Sequence, residues 1–397
     1  MTSAMHGDSV NRLETGSSLR FSIEEYRARV ERLRDELTKR GLDAYIGTVP
    51  EHLNYFSGFD PTGLLYYQQL FLTPDLDQPI LLTHRAESEL ARITCWIDDI
   101  RIWRHGEDPF VRTREIIAEL GLQKSATIGL ELDNWYLKSS TYLRLADEYP
   151  EARFVDVTTL GMDLRLRKSP AEIEYMRKAA EFADLGMAAA LETIRPGVRE
   201  TDVNVAIQVA LAGVGSEYPA FPNPLIGSGP RSGLFHGLPT ERVMEAGDPV
   251  LLEITGVVAR YNSNIVRTPI AGKASNRVRE LYKIVEDAYQ RGLEAVRPGV
   301  PAGEIDRICR QARAGYEEYI PARSGFGVEL GYPPTWIGSL SILEGDPHIL
   351  EPGIVFALEP SIAQYEGMTI NIGNNILVTE DGAEELHHSP AELLELG

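Results

Sequence analysis

The sequence predicts an α+β chain: a small α/β domain, then a larger body of two duplicated ααβ halves around a central sheet. Three observations predict it. Short apolar runs bounded by turn residues alternate with helical periodicity in the first part of the chain, as in an α/β layer. The pentapeptide Ile194-Arg195-Pro196-Gly197-Val198 recurs as Val296-Arg297-Pro298-Gly299-Val300, and each copy ends one long helical pattern and precedes another that opens on acidic residues. Strand-like runs follow each copy, at 249–258 with 265–270 and at 354–358 with 370–378. RPGV alone is a common helix stop; the matching helices on both sides of both copies favour duplication.

The elements follow in order. Ser22 with Glu25 is the pattern of a capping box, in which hydroxyl and carboxylate each satisfy an amide left free at a helix start. Tyr26, Val30, Leu33 and Leu37 then recur at helical spacing, and Gly41 behind a basic last turn stops the helix. Strands are expected at 44–46, 70–72, 80–82 and 127–130, with helices at 86–95 and 115–120. Ser169-Pro170-Ala171-Glu172 is a second capping box with Pro at the first helical position, opening an amphipathic helix to about Thr193. The expected organisation is a polar N-terminal extension (1–20), an N-terminal domain (21–162) and a catalytic domain (163–397).

Composition bounds the function. The 397 residues hold 39 Lys and Arg against 59 Asp and Glu, a formal charge of −20. Such a balance speaks against nucleic acid and anionic lipid as partners, because both need a basic face. Two isolated cysteines, Cys95 and Cys309, signal neither a zinc knuckle nor a disulfide framework. No secretory leader pattern and no long apolar run is seen, so a soluble cytoplasmic protein is expected.

The duplicated helices, the boundary helix at Ser169, Gly247-Asp248-Pro249-Val250 and Leu350-Glu351-Pro352-Gly353 resemble the pita-bread fold of creatinase, aminopeptidase P, prolidase and methionine aminopeptidase. The resemblance spans about residues 20 to 390 and includes the creatinase-type N-terminal domain. Leu252 to Gly256, Tyr261 to Thr268 and Gly331-Tyr332-Pro333-Pro334-Thr335-Trp336 look most like ectoine hydrolases. The peptidases of this fold hold two metals with two Asp, one His and two Glu. Carried over by position, Glu253 and Asn264 stand at the Asp positions, Ser324 at the His, Glu359 at the first Glu and Gly373 at the last. Two carboxylates without an imidazole do not make a dinuclear site. The resemblance therefore implies the metal-free branch, with no cofactor.

His236, in Leu234-Phe235-His236-Gly237-Leu238, matches the catalytic His of that branch. It is one of eight His and sits in a Gly-rich loop, where a neutral imidazole can take and return a proton. Glu253 and Glu359 each interrupt an apolar strand, which is costly without a partner. That partner is either a buried base such as Arg267 or a planar cationic substrate. The expected catalytic residues are His236, Glu253 and Glu359. Tyr66, Asn262, Asn264, Tyr332 and Trp336 are the expected substrate contacts, the last two as either an aromatic wall or simple core. Creatinase has a substrate-gripping Arg where Tyr66 stands and a Glu where Val266 stands, so creatine fits less well than ectoine.

The expected activity is metal-independent hydrolysis of a non-peptide C–N bond in a small cationic or zwitterionic amidine, foremost ectoine opening to N-acetyl-diaminobutyrate. Direct water attack and a covalent Glu253 intermediate both remain open. The alternatives are a creatinase-like amidinohydrolase, an inactive binding protein and, disfavoured by the missing ligands, an Xaa-Pro metallopeptidase. The expected partner is a second copy of the chain, with segment 59–69 near the neighbouring site. His387-His388 reads as part of a solvated tail, and Gly227, Gly229 and Gly233 lack the spacing of a nucleotide loop.

Overall fold

The computed structural model describes residues 18–397, so most of the proposed extension 1–20 lies outside the described residues. The chain divides into two compact units, the first reaching Arg165 and the second spanning Leu166–Gly397.

The first unit runs α1 (Ile23–Arg40), β1 (Ala44–Gly47), α2 (Pro50–Ser57), β2 (Gln69–Leu72), β3 (Ile80–His84), α3 (Ser88–Thr94), β4 (Ile100–Trp103), α4 (Phe110–Glu119), β5 (Thr127–Leu130), α5 (Ser139–Glu148), β6 (Arg153–Asp156) and α6 (Thr158–Leu166). Its six strands form one mixed sheet in the order β4-β3-β2-β1-β5-β6. Ser22 caps α1 through the Glu25 amide, but the Glu25 carboxylate turns to Arg29 at 2.9 Å instead of closing the box. The helix expected at 86–95 is a 3-10 turn followed by the short α3. Buried Glu131 accepts the Thr48 and Val49 amides and the Tyr45 hydroxyl and meets His52, tying β1, α2 and β5 together.

The second unit begins with α7 (Pro170–Thr193), whose capping box is complete, with Ser169 and Glu172 bonding each other's amides. It continues through α8 (Glu200–Gly213), β7 (Leu225–Ser228), β8 (Asp248–Val258), β9 (Tyr261–Arg267), β10 (Ile270–Ala271), α9 (Asn276–Ala295), α10 (Ala302–Ala312), β11 (Gly325–Tyr332), β12 (Thr335–Ile342), β13 (Val355–Leu358), β14 (Ser361–Tyr365), β15 (Met368–Asn371), β16 (Asn374–Val378), β17 (Ala383–Glu385) and β18 (Glu395–Leu396). The large sheet is ordered β17-β16-β13-β11-β9-β8-β10-β18, with β12 added to β11 and β7 to β8, while β14 and β15 form a separate ribbon. One apolar core lies among α7, α8 and β8, and another among α9, α10 and β13. Helix α7 packs so closely on β8 that a Cβ at Gly256 would stand 2.0 Å from the Ala179 carbonyl oxygen.

The duplication is visible in hydrogen bonds. Gly197 (φ 92°) donates to the Met244 carbonyl and Gly299 (φ 87°) to the Leu350 carbonyl, both at 2.9 Å. Positive φ is the conformation that Gly adopts without steric cost, which is why each RPGV copy needs its glycine. The run expected as one strand at 370–378 is two, β15 and β16, broken at Ile372-Gly373. The C-terminal stretch is not a solvated tail: β18 pairs with β10, and Arg177 bonds both carboxylate oxygens of Glu384. Among the described residues no helix is long and apolar enough to cross a membrane.

Candidate active site

The two central carboxylates come from the two halves. Glu253 lies mid-β8 opposite Val266, and Asn264, two residues back along β9, donates its amide N–H to Glu253 Oε1 at 3.3 Å. Glu359 follows β13 directly, and its backbone N–H donates to the Ser324 carbonyl at 2.9 Å. Each side chain keeps some accessible surface. Burial raises the Glu253 pKa well above the ordinary carboxylate range, against the Asn264 bond. Glu359 is raised by burial and further by the Glu253 charge, while Arg323 opposes the rise. The two carboxyl groups sense each other, so ionising both at once is costly.

Arg267 does not neutralise them. Although buried, it donates to the carbonyls of Val266, Gly373, Ser389 and Pro390 and to Asn374 Oδ1. Arg323 is the nearby cation that sequence reasoning overlooked; its guanidinium sits 4.6 Å from the Phe326 ring centre.

Behind Glu253 runs a one-directional chain of donors. Ser263 Oγ donates to Asn375 Oδ1 (2.6 Å), Asn375 Nδ2 donates to Asn264 Oδ1 (2.9 Å), and Asn264 Nδ2 reaches Glu253. The His387 ring nitrogen Nε2 lies 3.2 Å from Ser263 Oγ, and Nδ1 lies 3.6 Å from Asp184 Oδ1. His387 is therefore buried, contrary to its expected place in a solvated tail, and burial lowers its pKa against the pull of Asp184. His388, next to it, is exposed. The one visible signal for this chain was the pair Asn374-Asn375 beside the apolar stretch Ile376 to Val378.

His236 stands on the loop between β7 and β8, which is anchored by the first residue of α8. Buried Glu200 accepts the Ser228 amide and hydroxyl, both at 2.8 Å, the Thr240 amide and hydroxyl at 2.9 and 2.7 Å, and Arg231. A small cleft beside Glu253 is walled by Leu225, Leu234, Phe235, Val266 and Asn371, and only about 10 Å³ of it is open to the centre of a water molecule. His236 itself is exposed, its ring 5.1 Å from Phe221, which in turn meets Trp336 edge-on at 5.9 Å.

The expected substrate contacts separate. Asn264 is at the site but holds Glu253. Asn262 is fully buried and spent on backbone, accepting the Ala220 amide at 3.2 Å and donating to the Arg260 carbonyl at 2.9 Å. Tyr332 is also fully buried, and the cation against its ring is the protein's own Arg260, 4.9 Å from the ring centre. Trp336 is buried against Phe221, away from the cleft lining. Tyr66 belongs to the first unit, stacked on His84 at 4.2 Å.

At the positions carried over from the dinuclear peptidases, Glu253 and Glu359 bring carboxylates, and Asn264, Ser324 and Gly373 do not. Asn264 turns an N–H toward Glu253 and accepts the Asn375 amide on its oxygen, so it brings a neutral amide and no carboxylate to this position. Ser324, expected where the metal-binding His would be, faces α10 instead, donating to Asp306 and accepting from Arg313, each at 2.7 Å. A Cβ at Gly373 would stand 2.9 Å from Glu359 Cβ, so position 373 faces the site but carries no ligand. Among the described residues no group of three or more His, Cys, Asp or Glu is placed to hold a metal.

A duplicated ααβ body with paired carboxylates on its sheet, following a small α/β domain in the chain, is the build of the pita-bread hydrolases. The chain belongs to metallopeptidase family M24, whose model matches residues 174–380, and the creatinase/prolidase N-terminal domain matches 29–167. It is 31% identical to an Xaa-Pro dipeptidase of Pyrococcus furiosus over 92% of this chain and 99% of that protein. It is 29% identical to an ectoine hydrolase of Halomonas elongata over 95% and 98%. An Xaa-Pro dipeptidase from Bacillus anthracis superposes with a TM-score of 0.82 at 28% identity, over 93% of this chain and 99% of that one. Relatives of both activities thus stand at similar identity.

Proposed function

We propose that the protein is a metal-independent hydrolase that opens a non-peptide C–N bond in a small amidine, with ectoine as the leading substrate. The observation that carries this reading is the Asn264 amide, which donates to Glu253 where a metal site would need a carboxylate. The paired carboxylates then face a cation supplied by the substrate, since Arg267 is spent elsewhere. In this reading Glu253 and Glu359 bind the amidinium and polarise its carbon. Arg323, resting on Phe326, receives a substrate carboxylate.

His236 takes a proton from water as the water oxygen bonds to the amidine carbon. The carbon–nitrogen bond then breaks, its electron pair leaves with the ring nitrogen, and that nitrogen receives the proton. The product from ectoine is N-acetyl-diaminobutyrate. Substrate entry needs the Leu234-Phe235 wall to swing out, and this movement also carries His236. The assembly we propose is a homodimer with segment 59–69 near the neighbouring site. Supporting it, Leu65 and Trp135 are 79% and 81% exposed and line one cavity of the first unit with Tyr66.

The relatives that are Xaa-Pro dipeptidases make metal-dependent dipeptide cleavage the competing activity. Protein treated with EDTA is offered ectoine and, separately, an Xaa-Pro dipeptide with and without added manganese, and products are followed by NMR. Ring opening that survives EDTA and falls about 10²–10⁴-fold in His236→Ala is expected. Dipeptide cleavage that requires manganese, with ectoine untouched, refutes the proposal. Sedimentation reports the dimer.

A further inference from the structure

We propose that Asn371 is a substrate-binding residue whose side-chain oxygen accepts an N–H bond from the cationic end of the substrate, selecting cations that carry N–H groups over permethylated ones. This rests on the amidine reading and adds to it a residue that the sequence did not single out. Asn371 ends β15, is 4% exposed, and its Oδ1 has no hydrogen-bond partner among the described residues. A buried acceptor left unpaired is costly, and a ligand N–H that pairs it would remove that cost.

Its position is held by the backbone on both sides. The Thr268 hydroxyl donates to the Asn371 carbonyl and accepts the Asn371 amide, each at 3.0 Å. Asn371 and Glu253 are the two polar side chains of the small cleft; Leu225, Phe235, Leu251 and Val266 around them are apolar. The cleft is therefore lined by one amide and one carboxyl group against apolar walls. A planar amidinium offers two N–H groups along one edge and matches that pair. A tetramethylammonium ion carries the same charge with nothing to donate.

The test compares acetamidinium with tetramethylammonium by calorimetry, beside ectoine kinetics, in the full-length protein and two variants. The parent is expected to bind acetamidinium in preference. Asn371→Leu is expected to weaken that binding at least tenfold and to raise the ectoine KM more than it lowers kcat. Asn371→Asp keeps an acceptor oxygen in place and is expected to bind acetamidinium at least as tightly as the parent. Equal acetamidinium affinity in parent and Asn371→Leu overturns the role of Asn371 while leaving amidine hydrolysis intact. Weakened binding in a folded Asn371→Asp also overturns it. A parent that neither binds acetamidinium nor opens ectoine overturns both readings.

Discussion

Each half of the second unit seizes a serine hydroxyl with a buried helix carboxylate: Glu200 of α8 holds Ser228 at 2.8 Å, and Asp306 of α10 holds Ser324 at 2.7 Å. The surroundings differ. Glu200 also gathers neutral donors from Thr240, and its one cation, Arg231, is partly exposed. Asp306 faces the fully buried Arg313 through Ser324 and pairs directly with Arg310 at 2.6 Å. The first anchor fixes a loop that carries His236; the second fixes the strand beside Glu359. Duplicated scaffolding thus holds strands β7 and β11 in the two halves, while the side chains around each anchor differ.

The largest effect should come from removing these anchors. Asp306→Ala leaves the buried Ser324 hydroxyl and the partly exposed Arg310 without their carboxylate, removes its field from the buried Arg313, and should cost about 3 kcal/mol. Glu200→Ala strands mainly neutral donors, with a cost of about 1–3 kcal/mol, but it should impair turnover more because it frees the His236 loop. Urea midpoints and ectoine kinetics measured together read both. Equal losses in both quantities for both variants would dissolve the distinction between the halves.

Gly373→Ala tests whether the second half gave up its ligand for packing. The new methyl would meet Glu359 Cβ at 2.9 Å and Val266 Cβ at 3.1 Å. Overpacking of this kind should cost about 1–3 kcal/mol. The matching change in the first half, Asn264→Ala, removes the donor to Glu253 and leaves Asn375 Nδ2 without its acceptor. It should push the Glu253 pKa still higher. A thermal melt of Gly373→Ala that equals the parent would show that the site has room for a ligand there.

What could be read from sequence was local or anomalous. The caps at Ser22 and Ser169, the stop at Gly41 and the two RPGV turns are set by near neighbours, so their residue types announce them. Glu253 and Glu359 were conspicuous because a carboxylate in an apolar run needs a reason. The chain from Asp184 through His387, Ser263, Asn375 and Asn264 joins residues up to 203 positions apart and has no local pattern. The β11–β12 hairpin is not legible because Gly and Pro break its alternation, so Tyr332 and Trp336 read equally as a binding wall or as core; both are buried. Asn262 and Asn264 look alike in sequence, two residues apart on the same strand; only the backbone groups around Asn262 show it to be spent on structure.

A smaller effect separates the carboxylates by pH. Both are raised in the folded state, so between the ordinary carboxylate range and those raised values the fold holds more protons than the unfolded chain. Stability therefore falls as pH rises through that window. Glu359→Gln removes one titrating group and the repulsion on Glu253. Its melting temperature should lose about 2–4 °C less than the parent's over the same rise. Parallel melting curves across pH would mean that the two carboxyl groups do not share a field.

The smallest contrast lies in the helix starts. Ser169 begins α7 with a reciprocal box, since Glu172 returns a bond to the Ser169 amide at 2.9 Å and also accepts the Tyr261 hydroxyl at 2.7 Å. Ser275 begins α9 with one bond, to the Val278 amide at 3.2 Å, and no returning carboxylate. Ser169→Ala frees the Glu172 amide and loosens a carboxylate that also ties α7 to β9, at a cost of about 1 kcal/mol. Ser275→Ala loses a single cap and should cost about 0.5 kcal/mol. Differential melts of the two variants read the difference directly. A larger loss at Ser275 would mean that the second half depends on its helix start more than its sparser bonding implies.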